Sequence, residues 1–248
     1  MSGTFPGHID AVGPVVSGWV AAPAGEGPLT VCCVLDDTLW LSARADLPRP
    51  DVAEALGCGE LCGFSIALPP VVMDGREHAL LLGVLGHETY RFPGAPTSVV
   101  LGRPDISVYP ADGQALLAAC PDAAGLQDGP GAPLAVFLAQ ACGSTVGYAL
   151  CLGPEDGSPG GCCRFLLDVR PPWRGHGAGS RLAEQMLAWA RSRGGLTLRT
   201  SVALPDGGVV GFFERRGFRV EAVRQHALES ADGPRDVADL AWTAPAGG

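Results

Sequence analysis

Between Leu166 and Leu187 the chain reads LDVRPPWRGHGAGSRLAEQMLA, and no other stretch limits its folding as tightly. An apolar run, Cys162 to Val169, meets Pro171-Pro172 and then glycines at 175, 177 and 179. A pattern with Leu182, Met186, Leu187 and Ala190 on one face begins at once, which predicts an amphipathic helix ended by Gly194-Gly195. A strand feeding a glycine-rich turn into a helix N-terminus is an anion site. The first N–H groups of a helix lack internal partners, and its dipole places partial positive charge there. The glycines let backbone approach a ligand that a Cβ would obstruct. Arg174 and Arg181 flank the turn with forked, permanent charge suited to phosphate.

The identity of the anion is narrowed by what is missing. A Walker A loop requires Gly-Lys-Ser/Thr, and this chain contains no lysine. A dinucleotide fingerprint requires a third glycine at 180, where Ser180 stands, and an acid at the end of the next strand. That strand candidate, Leu196 to Val202, carries Arg199 and no acid. Charge is also local. From Arg164 to Arg224 there are eleven arginines against five acidic residues, a net of +6, so within a chain of −9 the remainder carries −15. A positive segment in an acidic protein points to a local polyanion, not to nucleic acid, for which the whole domain would be basic.

Arg174-x-x-Gly177-x-Gly179, preceded by Val169-x-Pro171, resembles the acetyl-CoA signature of the GNAT family of N-acetyltransferases. Phe212-Phe213-Glu214-Arg215-Arg216-Gly217-Phe218 stands where that family places its aromatic Tyr-Glu-x-x-Gly-Phe element. Gly and Pro make up 58 of 248 residues, so glycine clusters arise easily by chance, but the second motif at the right spacing does not. The resemblance implies an α+β fold, with a mixed sheet and flanking helices over residues 105–248. It implies acetyl-CoA as co-substrate and a primary amine as acceptor. It assigns cofactor contacts to Leu167, Asp168, Val169, Arg174, Gly175, His176, Gly177, Ala178, Gly179, Ser180 and Phe213. The strand Leu167 to Val169 would pair its backbone with the pantetheine arm.

Two departures from the family pattern concern proton transfer. The family's frequent general acid is the tyrosine before Glu214, where this chain has Phe213, and its usual asparagine is replaced by Asp206. The chain contains no asparagine at all, which explains the second change but not the first. Some relatives place a carboxylate where Cys163 stands. Asp168, the nearest acid, is the candidate base, and capping the turn or pairing with Arg170 is its structural alternative. His226 is a second candidate.

The first hundred residues read differently. Short apolar runs, Val15 to Ala21, Leu29 to Leu35, Leu39 to Ala43, Gly63 to Leu68 and Ala79 to Leu85, alternate with turn-rich stretches. That spacing predicts an all-β sandwich over residues 1–99. Gly18-Trp19-Val20, Arg49-Pro50-Asp51-Val52-Ala53, Cys62-Gly63-Phe64 and Asp74-Gly75-Arg76-Glu77-His78 together resemble a module appended to bacterial glycosyltransferases and other cell-surface polysaccharide proteins. Through that resemblance, an amino sugar or surface-polysaccharide precursor is the expected acceptor. As strand residues, Trp19 and Trp40 are expected in the core, with stacking on sugars the alternative. Pro93 to Pro104 is read as the linker.

In the second half the expected order is a strand over Asp105 to Tyr109 and a helix over Gly113 to Cys120. A Gly/Pro loop follows through Gly131, then a hairpin of Leu134 to Ala141 and Val146 to Leu152. After the turn and its helix come the Leu196 strand, the Phe212 helix, and strands Arg219 to Ala227 and Val237 to Thr243. The family has two helices between its first two strands, and the span from Tyr109 to Leu134 accommodates one.

Nine cysteines, an odd number, with Cys32-Cys33 and Cys162-Cys163 inside apolar runs, are expected to be reduced and mostly buried. Cys58 and Cys62 have no matching second pair and the histidines are scattered, so no metal is expected. No signal peptide or membrane insertion is read from the sequence, and a cytoplasmic location is expected. The rival to an acetyltransferase is a non-catalytic acyl-CoA-binding or scaffold protein whose β-sandwich docks carbohydrate or protein.

Overall fold

A computed structural model describes residues 5–23, 25–87, 89–123, 133–154, 161–231 and 233–244. The chain divides into two compact units, Met1–Asp105 and Ile106–Gly248. The Gly/Pro loops anticipated before Leu134 and before Cys162 fall largely outside the described residues.

The first unit contains two four-stranded antiparallel sheets. One, in the order β1-β2-β6-β5, is formed by β1 (Gly7–Ala11), β2 (Val15–Val20), β5 (Leu47–Pro48) and β6 (Leu61–Ala67). The other, β4-β3-β7-β8, is formed by β3 (Thr30–Leu35), β4 (Leu39–Arg44), β7 (Glu77–Val84) and β8 (Ser98–Val100). Alternation drives β2, where Val16, Gly18 and Val20 are buried and the residues between them are not. A short helix, α1 (Pro50–Leu56), starts on Pro50 and stops at Gly57, whose φ of 66° is left-handed.

Two expectations are corrected here. The stretch read as a linker contains β8, which pairs with β7 from Glu77↔Val100 to Ala79↔Ser98. Its three prolines flank Ser98-Val99-Val100 without entering it, so they interrupt no ladder bond. Trp40, expected in the core, is 65% exposed on β4. The nine cysteines are all free, with Cys33, Cys62, Cys151 and Cys163 buried and the others partly so.

The second unit is one seven-stranded sheet, ordered β14-β15-β13-β12-β11-β10-β9. The strands are β9 (Ser107–Ala111), β10 (Pro133–Ala141), β11 (Ser144–Leu152), β12 (Cys162–Val169), β13 (Thr197–Ala203), β14 (Arg219–Leu228) and β15 (Arg235–Thr243). Every neighbouring pair is antiparallel except β12 with β13. Among the described residues its helices are α2 (Gly113–Ala119), α3 (Ala178–Arg193) and α4 (Gly207–Glu214). This is the mixed α+β architecture expected for this half.

Each face of the sheet is buried by its own set of side chains. Ala149 and Cys151 of β11, with Cys163 and Phe165 of β12, pack with Leu182, Met186, Leu187 and Ala190 of α3. Alternate residues, Leu150, Leu152, Tyr148 and Leu166, pack with Leu116 of α2 on the other side. Coverage of both faces explains why β11 reads as a nearly continuous apolar run, while β12 carries Arg164 and Asp168 on its exposed positions. Asp206 caps α4 by accepting from the Val209 N–H at 3.0 Å. Aspartate serves at an N-cap as well as asparagine does, so that departure from the family pattern leaves the helix start intact.

Candidate functional site: a forked strand pair above a glycine turn

The site begins where the sheet fails to close. Strands β12 and β13 pair in parallel at Cys162↔Thr197, Cys163↔Leu198 and Arg164↔Arg199, and pairing then stops. Both strands continue, β12 to Val169 and β13 to Ala203. On its other edge β12 stays paired with β11 from Arg164 to Val169, and β13 stays paired with β15 to Ala203. Phe165 to Val169 therefore present a row of backbone groups that no strand of the sheet takes up. A cavity of about 420 Å³ lies beside the fork, lined by Cys162 to Arg164 and Leu166 on one strand and Arg199 to Ser201 on the other.

At the open end β12 runs into the glycine turn. A short 3-10 turn, Pro171–Trp173, reverses the chain, and α3 starts at Ala178 with Gly177 as its N-cap. Gly175 and Gly177 have φ of 82° and 94°, conformations that L side chains rarely adopt. An added Cβ would meet nothing at either position, so the requirement is conformational and not steric. Gly179 has no such φ, and its Cβ would lie 3.6–3.8 Å from Val169, Phe212 and Leu167. The N–H of Arg181 bonds the Gly177 carbonyl at 3.1 Å, which leaves the N–H groups of Ala178, Gly179 and Ser180 free of helical partners. Three donors, the positive end of a 16-residue helix and a turn without side chains are thus brought together beside the fork.

The structure gathers most of the sequence-assigned residues here and removes some. Arg174 anchors the turn: its Nε donates to the Val169 carbonyl at 2.9 Å, and its Nη2 lies 3.6 Å from the Asp168 carboxylate. His176 is exposed on the turn, and the Ala178 side chain is buried, leaving only its backbone to face a ligand. Arg181 does not flank the turn as expected, because its Nη1 donates to the Ile106 carbonyl at the foot of β9. Phe213 lies in the core. Its ring is 4% exposed and packs edge-on against Phe165 and Phe218 in the core. Its neighbour Phe212 is the aromatic residue against Gly179.

The candidate bases separate in the same way. Asp168 stands beside the fork with a half-exposed side chain and pairs with Arg174, whereas Arg170 donates to the Ala119 carbonyl at 3.0 Å. Cys163 is 1% exposed within the core. His226 lies on β14, the far edge strand, in a left-handed conformation (φ 50°), and two strands separate it from β12.

Sequence reasoning missed Tyr148, the cross-strand partner of Asp168 on the face covered by α2. Burial first, and then the Asp168 charge, push its phenol above the usual range, so it stays protonated. Only the strand register places the two side chains together.

The segment that holds this site is similar to known proteins. Residues 107–218, from β9 to the residue before β14, match the model of the Acetyltransferase (GNAT) family. The class of protein this segment resembles is therefore an acetyltransferase. Among particular proteins, the chain is similar to the ribosomal-protein-S18-alanine N-acetyltransferase of Escherichia coli. That likeness is at 18% identity and TM-score 0.49, over 58% of this chain and 97% of that one. It is also similar to yncA of Salmonella typhimurium, solved with acetyl-CoA, at 14% identity and TM-score 0.48, over 58% and 96%. A 49-residue stretch is 45% identical to the bifunctional protein FolD 2 of Paracoccus denitrificans, spanning 19% of this chain and 16% of that protein. No helix among the described residues is long and apolar enough to cross a membrane.

Proposed function

We propose that this chain is an acyl-CoA-dependent N-acetyltransferase that moves the acetyl group of acetyl-CoA to a primary amine. The observation that carries the reading is the β12–β13 fork, whose paired length is three residues although both strands run on. A pantetheine arm is a chain of amides, and an unpaired strand edge is what such a chain hydrogen-bonds to. The glycine turn lies at the open end, so the diphosphate meets the free N–H groups of Ala178, Gly179 and Ser180 while the arm occupies the fork. Leu167, Asp168, Val169, Arg174, Gly175, His176, Gly177, Ala178, Gly179 and Ser180 form the cofactor side.

In the reaction the amine nitrogen forms a bond to the thioester carbon, and the carbon–sulfur bond breaks to give an amide and a thiolate. The nucleophile must be the neutral amine, so the ammonium loses one proton before attack; the nitrogen loses a second as the amide forms, and the thiolate gains one. Asp168 is the carboxylate of β12 and is our candidate for receiving the amine proton, directly or through water. With Phe213 in the core, the thiolate takes its proton from water. The main contribution to rate is then the positioning of two reactants by the fork and the turn. The acceptor we propose is an amino sugar or a surface-polysaccharide precursor in the cytoplasm, a choice that rests on the resemblance of the first unit.

Phe213 favours a second reading, a non-catalytic acyl-CoA-binding protein. Calorimetry with acetyl-CoA, followed by free-thiol release across a panel of primary amines, separates the two. Binding with amine-dependent thiol release supports the enzyme; tight binding without turnover supports the second reading; no binding removes both.

A further inference from the structure

Arg216 lies just beyond α4 and is held on three sides. Its Nη1 donates to the Phe212 carbonyl at 2.9 Å, and its Nη2 donates to Ser180 Oγ at 2.7 Å. The guanidinium carbon sits 3.7 Å from the centroid of the Phe212 ring. Its Nε is buried and has no hydrogen-bond partner among the described residues. Among those residues no carboxylate forms an ion pair with it. Glu184, one turn along α3 from Ser180, acts on it only at longer range, and Arg215 opposes that effect.

This is an unfavourable place for a cation. Burial strips solvent from the guanidinium, and no carboxylate in contact offsets the loss. The group also sits against the first turn of α3, where the helix dipole is itself positive. Cation and dipole repel each other unless an anion joins them. The same two contacts reach the turn that would bind that anion. Ser180 is one of the three residues with a free N–H, and the Phe212 ring lies 3.7 Å from where a Cβ on Gly179 would be.

We propose that Arg216 is the positioning residue for the coenzyme's diphosphate, an inference that rests on the CoA reading above. It acts through Ser180 and Phe212, fixing the first turn of α3 so that its N–H groups converge, and it adds one positive charge behind them. Arginine suits this position because its plane stacks on Phe212 while its fork reaches two acceptors. An ammonium would keep the charge and lose the stack and one arm.

The test compares wild type, Arg216→Gln and Arg216→Lys for binding of CoA and of pantetheine, which lacks the diphosphate, at several salt concentrations. Melting temperatures serve as the check on folding. The expected result is a loss of CoA affinity of about 10- to 50-fold in Arg216→Gln, with a shallower salt dependence. Pantetheine affinity stays at the wild-type value. Arg216→Lys restores the salt dependence and only part of the affinity. Equal losses for CoA and pantetheine, or unchanged CoA binding in Arg216→Gln, would overturn the proposal. A wild-type protein that does not bind CoA overturns the underlying reading, which is a different result. Should Arg216→Gln fail to fold, Ser180→Ala carries the same comparison, with a loss of about threefold expected for CoA alone.

Discussion

Strands β3 and β7 in the first unit, and β12 and β13 in the second, are both pairs of central strands, and they end in opposite ways. The β3–β7 ladder runs from Val31↔Val84 to Leu35↔Leu80. A clasp then seals it: Asp36 donates its N–H to the Ala79 carbonyl at 3.0 Å and accepts the Ala79 N–H on its carboxylate at 2.8 Å. His78 lies between Asp36 and Asp74, at 2.7 and 3.1 Å. The β12–β13 ladder stops after Arg164↔Arg199, and a glycine turn stands where a clasp would be. Backbone groups in a folded chain are nearly always satisfied by strands, side chains, water or a ligand, and the β12 edge beyond Arg164 has no strand to satisfy it. The first junction is finished by its own side chains; the second is left open, and the proposed function fills it with the coenzyme's arm.

The largest expected effect comes from closing the open end with charge. Gly177→Asp places an L side chain at a φ of 94° and a negative group at the N-terminus of α3, where the diphosphate would sit. CoA affinity should fall more than about 100-fold by calorimetry. Gly177→Ala carries similar backbone strain, about 1–2 kcal/mol, without the charge. If both variants lose affinity equally, the turn matters only for folding, and the contrast between the junctions loses its functional meaning.

Next in size is Phe213→Tyr, which bears directly on what the sequence could reveal. The family pattern places a phenol at this position beside the thioester, whereas the structure places the ring among Phe165 and Phe218. A hydroxyl there should destabilise the protein by about 1–3 kcal/mol in urea unfolding without raising thiol release. A gain in turnover at wild-type stability would return position 213 to the cleft.

The glycine turn, its helix and most strands of the second unit were legible because proline, glycine and period-3.6 patterning are local signals. Tyr148, Phe212 and Arg216 were not, because their positions depend on cross-strand register and on contacts between segments distant in sequence. Arg181 misled for the same reason: sequence places it beside the turn, and only the fold shows its guanidinium at Ile106. The fork itself has no local signature, since β12 and β13 each read as an ordinary strand and only their mutual register shows where pairing stops. In the first unit, β8 was hidden by prolines that flank it.

A smaller effect distinguishes the fold's needs from the ligand's. Gly179 is helical, and a Cβ there would make ordinary contacts of 3.6–3.8 Å with Val169, Phe212 and Leu167. Gly179→Ala should therefore stabilise α3 by about 0.5–1 kcal/mol, as alanine does in a helix. The methyl group also takes space beside the fork, so CoA affinity should fall by about tenfold while the melting temperature rises. A rise in both would place the coenzyme elsewhere on β12.

The smallest effect tests the closed junction. Asp36, then burial in opposition, and then Asp74 act on His78, and the balance raises its pKa above the ordinary 6.5. The contribution of the charged histidine is thus full below pH 6.5 and lost as pH rises through its higher folded value. Asp36 and Asp74 are shifted below their ordinary 3.8, chiefly by hydrogen bonds from His78 and from the Arg76 N–H respectively. Their contributions are present above pH 3.8 and lost as pH falls through the lowered values. The clasp is complete between those limits and loosens on the alkaline side. Hydrogen exchange at the Asp36 and Ala79 amides, corrected for its intrinsic pH dependence, should show more protection at pH 5.5 than at pH 8. His78→Gln should remove that difference and leave the amides of β12 and β13 unchanged. If protection at Ala79 is independent of pH in the wild type, the junction is held by its backbone alone. The contrast with the fork would then rest on the ladder and not on the clasp.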